Sequence, residues 1–239
     1  MKITVGVSAR HIHLSIEDME LLFGVGYELT PVRYLSIATQ YICKERITVE
    51  GPKGKVENIA IIGPPREHTQ VELSKTDAIK LGLNPPTRLS GDLEGSGSAT
   101  LIGPNGSVIL KDGLIVAQRH IHMTERDAEE FGFKHKDYAM VVVQGKRSLV
   151  FDFVVVRIAP ENTHTEIHLD TDEANTADIK TGDEVTLFHV NDKKLRLEQI
   201  INAFDERQLR VLEQSVATII EDEKQRISLM EEMLKGLKG

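Results

Sequence analysis

Val7-Ser8-Ala9-Arg10-His11-Ile12-His13-Leu14-Ser15 returns as Val116-Ala117-Gln118-Arg119-His120-Ile121-His122-Met123-Thr124, 109 positions further along the chain. A repeat of this length implies two related halves. Weaker copies lie inside each half, Val71-Glu72-Leu73-Ser74-Lys75-Thr76-Asp77 in the first and Ile167-His168-Leu169-Asp170-Thr171-Asp172-Glu173 in the second. In all four, an alternating segment runs into Ser15, Ser74, Thr124 or Asp170, and three residues later comes Asp18, Asp77, Asp127 or Glu173. That spacing resembles a capping box, in which the first side chain accepts from an orphan helix N–H and the acid reaches back. Four strand-to-helix junctions are therefore expected.

Turn signals dominate between the junctions, as in Glu50-Gly51-Pro52-Lys53-Gly54 and Gly103-Pro104-Asn105-Gly106, and alternating or apolar runs flank them. Short strands joined by tight turns leave exposed edges unless the sheets close. The expected fold is mainly β with short helices, an α+β arrangement of two similar small β-barrels arising from the duplication. The last segment differs. From about Asn202 to Leu237 there is no Pro, and Leu209, Leu212, Val216, Ile219, Ile220, Ile227, Met230 and Leu234 recur near helical spacing, which predicts one long C-terminal helix. Such a helix can pack on its own domain or on a partner helix.

The 239 residues and 40% hydrophobic content suffice for one large or two small cores. A formal net charge of −8 excludes a broad nucleic-acid surface, which needs a Lys/Arg excess. Cys43 is the single cysteine, so no internal disulfide can form and a reducing cytoplasm is expected. Met1–Val7 alternates like a strand rather than a signal peptide, and no run is long enough to span a membrane.

His-x-His on a strand sends both imidazoles to one face, where a single metal can take both. Two such pairs, His11/His13 and His120/His122, stand at equivalent positions, with Glu72 and His168 two residues before the caps of the other copies. Imidazole and carboxylate donors favour zinc. Upstream of Glu72, Gly63-Pro64-Pro65 forms a stiff turn that delivers Arg66, whose planar guanidinium suits bidentate capture of phosphate. His68 is close enough in sequence to Arg66 and Glu72 to touch a ligand, whereas His135, His164 and His189 read as surface residues. The loop Gly91–Ser98 has no Walker spacing and reads as a mobile connection.

Arg10-His11-Ile12-His13-Leu14-Ser15, Gly63–Glu72, Arg119-His120-Ile121-His122-Met123 and His168–Asn175 together resemble the motifs of the PduL-type phosphotransacylases, in order from about Val5 to Leu187. The resemblance implies two barrels with two zinc ions in the cleft between them, and coenzyme A near one metal. It assigns His11, His13 and Glu72 to the first zinc, His120, His122 and His168 to the second, and Arg66 to phosphate. It also implies that the first strand crosses into the second barrel. The domains would then be 10–117, then 1–9 with 118–198, and 199–239 as a helical extension. Ala9 and Ile167 replace the family's usual Asn and Met. Family members targeted to microcompartments carry an added N-terminal segment, so free cytoplasmic residence is expected here.

The reaction so implied is acyl-CoA plus phosphate giving acyl phosphate plus CoA, for a short acyl chain such as acetyl or propanoyl. Neither a Ser/His/Asp set nor an activating motif around Cys43 is present, so direct attack by phosphate is expected. Two other readings compete: a dizinc hydrolase, and a non-catalytic, metal-stabilised assembly module. Expected partners are the substrates and further copies of the chain in a homo-oligomer, with no nucleic acid and no membrane.

Overall fold

The computed structural model describes residues 1–8, 10–189 and a helix over 206–236. In the first half lie β1 (Lys2–Val7), β2 (His11–His13), α1 (Ile16–Phe23), β3 (Pro31–Tyr34), β4 (Tyr41–Gly51), β5 (Gly54–Gly63), β6 (Gln70–Glu72), α2 (Lys75–Leu81), β7 (Thr87–Arg88), β8 (Gly97–Ile102) and β9 (Ser107–Ala117). The second half adds β10 (His120–Met123), α3 (Glu125–Phe131), β11 (Tyr138–Val143), β12 (Leu149–Ile158), β13 (Glu166–Leu169), α4 (Thr171–Ala177) and β14 (Glu184–His189).

Both halves close. In the first, the pairings run β4-β5-β2-β6-β9-β8 and return to β4, with β3 and β7 attached outside the ring. In the second, the barrel order is β1-β13-β10-β12-β11-β14. The N-terminal strand β1 completes this second barrel, parallel to β13 and antiparallel to β14. Each barrel encloses its own apolar cluster. Ile12, Ile61, Val71 and Leu114 belong to the first, and Val5, Ile121, Val156 and Ile167 to the second. Because side chains alternate along a strand, pointing Ile12 and Ile121 into the barrels turns His11/His13 and His120/His122 to the other face.

Four helices begin where the junctions predict, and the hydroxyl of Ser15, Ser74 or Thr124 or the carboxylate of Asp170 accepts from the backbone N–H three residues on. Only Asp170 and Glu173 form the full reciprocal box. The three aspartates take other partners, because their side chain is one methylene shorter than the glutamate that reaches back. Asp18 accepts from the Thr69 hydroxyl and Asp127 from Thr165, each at 2.5 Å, while Asp77 accepts from Arg10 at 2.8 Å. The two threonines also accept from the cap backbones, Ser15 N–H at 2.8 Å and Thr124 N–H at 3.2 Å. Each strand is thus tied to the helix start beside it.

The long helix runs over Glu206–Gly236, and the ends of the sequence-expected helix on either side lie outside the described residues. Val211, Ile219, Ile220 and Ile227 are exposed on it. No helix among the described residues is long and apolar enough to cross a membrane.

Candidate active site

The register of two strand pairs assembles both histidine groups. His11 lies opposite Glu72 across β2 and β6, and His120 opposite His168 across β10 and β13. His13 and His122, two residues on, join the same faces. The potential ligand atoms of His11, His13 and Glu72 all lie within 4.8 Å of one another, as do those of His120, His122 and His168. The pairs His13–Gln70 and His122–Glu166 extend the symmetry.

Hydrogen bonds fix how several rings face. The Nδ1–H of His13 donates to the Ile62 carbonyl at 3.1 Å and that of His120 to the Gln118 carbonyl at 2.9 Å, leaving each Nε2 lone pair for the cluster. His120 Nε2 and His122 Nε2 stand 3.0 Å apart. Two imidazoles on a tetrahedral zinc would place their nitrogens about 3.3 Å apart, so the donors fit the metal in type and spacing. His168 Nε2 is held by Glu166 Oε1 at 2.8 Å, a carboxylate–histidine pair of the kind that orients metal-binding imidazoles. Ser36 steadies that carboxylate from the first barrel, its hydroxyl donating at 3.0 Å.

Burial keeps His13, His120 and His122 neutral. Burial, then the neighbouring His168, takes His120 down to about 3, and burial with His120 takes His122 to about 2. His13 is likewise far below its usual value, chiefly through burial. Burial opposes ionisation of Glu72, but its interaction with His11, a hydrogen bond included, outweighs it and holds the carboxyl below the ordinary range. Neutral imidazoles and an ionised carboxylate are the protonation states a metal requires.

One cavity of about 430 Å³ unites these groups: both triads line it, together with Arg66, Ser90 and Arg157. Arg66 is placed by its backbone N–H, which donates to the Leu14 carbonyl at 2.8 Å, and its guanidinium reaches the Ser90 hydroxyl at 3.3 Å. Ser90 in turn accepts from the Gln70 amide at 2.8 Å, and the other end of that amide accepts from Gly91 N–H at 2.7 Å. The loop read as a mobile connection is therefore pinned beside the site. Leu35, Ile37, Ile42 and Ile62 give the cavity an apolar wall.

A family profile described as phosphate propanoyltransferase matches residues 4–180. The phosphate propanoyltransferase of Thermotoga maritima is 54% identical over 184 residues, covering 77% of this chain and 87% of that one. Those of Priestia megaterium and Clostridioides difficile are 50% and 48% identical, covering 76% and 75% of this chain and 83% and 86% of theirs. The chain belongs to the phosphate propanoyltransferase family. The match includes both histidine triads and Arg66 and stops short of the long helix.

Several residues of the site escaped sequence reasoning. Arg157 and Glu166 stand in no motif, and only their register with His122 brings them in. Gly6 sits opposite His168 in β1, where a side chain would collide with Glu166 and His168. His164, read as a surface residue, lines the cavity and lies 3.5 Å from Glu166. His68, by contrast, is exposed and outside the cavity lining, and His135 and His189 are also outside it. Burial raises the Cys43 thiol to about 11, which removes it as a nucleophile.

Proposed function

We propose that this chain is a zinc-dependent phosphate acyltransferase that interconverts acyl-CoA plus phosphate with acyl phosphate plus CoA, for a short acyl group. The names of its relatives support the reaction. One observation carries the reading: two three-donor groups and a half-buried arginine share a single cavity. His11, His13 and Glu72 would hold one zinc and His120, His122 and His168 the other. Bound there, zinc would supply Lewis acidity for the thioester carbonyl and the departing thiolate.

The chain's own residues supply positioning. Arg66, steadied by Ser90, orients phosphate so that one of its oxygens forms a bond to the acyl carbon. The carbon–sulfur bond breaks and its electron pair leaves on the sulfur of CoA. The apolar wall of Leu35, Ile37, Ile42 and Ile62 shelters the acyl group from water, which would otherwise compete with phosphate. No protein nucleophile is needed.

In this reading, 10–117 forms one domain and 1–9 with 118–198 the other, supported by the pairing of β1 with β13 and β14. The segment 199–239 would serve assembly of a homo-oligomer. The test combines metal analysis after chelator-free purification with release of CoA from propanoyl-CoA. Close to two zinc ions per chain and phosphate-dependent release are expected. Release without phosphate would indicate a hydrolase, and no release a scaffold.

A further inference from the structure

The duplication separates what the fold needs from what it does not. β2 pairs with β5 as β10 pairs with β12: His11 faces Ala60 and His120 faces Val155. Two residues on, the first barrel has Ile62, whose carbonyl accepts from the His13 ring, and the second has Arg157 against His122. The same barrel position therefore closes with an aliphatic side chain in one copy, and the architecture does not require a cation in the other.

Arg157 is half-buried and lines the cavity shared by both triads and Arg66. Among the described residues its guanidinium has no ion pair and no hydrogen bond, since Asn162 bonds only its backbone carbonyl. Glu161 is its exposed acidic neighbour on the same chain segment, and the other acid acting on it, Glu72, already receives the Gln70 amide at 2.6 Å and lies 3.4 Å from His11. Arg66 feels the same Glu72 charge but likewise forms no ion pair among the described residues, its guanidinium bonding the neutral Ser90. Two sheltered guanidinium groups in one cavity without anions of their own form a site awaiting a multivalent anion.

We propose that Arg157 is the second arm of the phosphate site, binding from the second barrel the phosphoryl group that Arg66 binds from the first. Phosphate has enough oxygens to accept from two planar forks, and a clamp from two barrels would fix its orientation as well as its position. This inference rests on the proposed reaction.

The experiment uses the full-length, zinc-loaded protein and its Arg157→Gln and Arg157→Lys variants. Arg157→Gln should raise the KM for phosphate at least about tenfold, the loss of one charge-assisted hydrogen bond, and leave the KM for CoA within about twofold. Calorimetric titration with inorganic phosphate alone should show the same weakening, with zinc content unchanged. Arg157→Lys should recover part of it. In the Arg66→Gln/Arg157→Gln double variant the two losses should fail to multiply, as residues on one ligand do. An unchanged phosphate affinity overturns the proposal, as does a rise confined to CoA, which would move Arg157 to the nucleotide. Loss of zinc or of folding with phosphate affinity intact would make it a structural residue. If the wild type releases no CoA with phosphate, the reaction itself is wrong, and the phosphate titration still decides on Arg157.

Discussion

Gly6→Ala isolates one metal site by adding a single methyl. The new Cβ would lie 2.7 Å from Glu166 Oε1 and 2.9 Å from His168 Cδ2, where ordinary contact begins at 3.4 Å. The carboxylate must therefore retreat by 0.7 Å (3.4 − 2.7) and the ring by 0.5 Å (3.4 − 2.9). β1 is held on both sides here, by its pairing with β13 and by the bonds of Val5 to Asp183 and Gly182 and of Val7 N–H to the Thr181 hydroxyl, so the strain falls on the side chains. Overpacking of this kind costs about 1–3 kcal/mol, and at about 2–4 °C per kcal/mol for a chain of this size the melting temperature should fall by roughly 2–12 °C. The larger effect is local. Metal–ligand distances tolerate about 0.2 Å, so shifting His168 by more than that should release the metal held with His120 and His122. The atoms nearest the added methyl belong to Glu166 and His168 and none to the first triad. Metal analysis should show zinc falling from about two ions toward one per chain, with far-ultraviolet circular dichroism unchanged. Full zinc occupancy together with an unaltered melting temperature would refute the placement of Gly6 against the Glu166–His168 pair.

Arg66→Lys keeps the charge but loses the planar fork, so phosphate use should suffer far more than folding; an unchanged phosphate KM and turnover count against the assignment. Glu72→Ala removes the only anionic donor of the first triad and should cost at least roughly 100-fold in rate, with metal lost from that site and CoA binding weakened, whereas His168→Ala should cost similar rate and spare CoA. Calorimetry with CoA on both variants distinguishes the two sites, and equal CoA affinities in the two would reject the placement of the thiol. In the metal-free protein, His120 and His122 have folded-state values of about 3 and about 2, below the unfolded value of 6.5. The unfolded chain then binds more protons as pH falls through 6.5, so stability should drop by up to about 2.7 kcal/mol per pH unit for the two groups. Denaturant midpoints that stay level between pH 7 and pH 5 would contradict this. Deleting 199–239 should lower the oligomeric state by light scattering while both metals remain, since it removes the exposed apolar residues Ile219, Ile220 and Ile227 and none of the proposed ligands.

Much of the site was legible because strand alternation is a strong local rule. His-x-His before a capped helix fixes which way both rings point, and the repeat multiplies that signal. What stayed hidden depends on strands far apart in sequence. Arg157 lies 35 residues from His122 (157 − 122), and only the parallel register of β10 with β12 makes them neighbours. The closure of the second barrel by β1 was expected from the family resemblance and not from periodicity, which identifies a strand without naming its partner. The side-chain caps hold at all four junctions, but the reciprocal arm of the box forms only at Asp170: Asp at the third position is too short to reach back, and a Thr or Arg lying just before another strand takes its carboxylate.

The two barrels also act as each other's control. Where they agree, as in Ile12 and Ile121 or Thr69 and Thr165, the shared residue packs a core or ties a helix to a strand. They part company around the cavity. Glu72 stands where the second barrel has His168, Gln70 faces the position of Glu166, and Ile62 that of Arg157. Arg66 donates its backbone N–H to the Leu14 carbonyl, and the Asn162 side chain does the equivalent for Met123. A duplicated fold gives two three-donor groups at matching places, but an acyl transfer joins two unlike reactants, a thioester and a phosphate. Equal halves could not tell them apart. Each of these departures changes charge, the property that distinguishes a phosphate from a thioester.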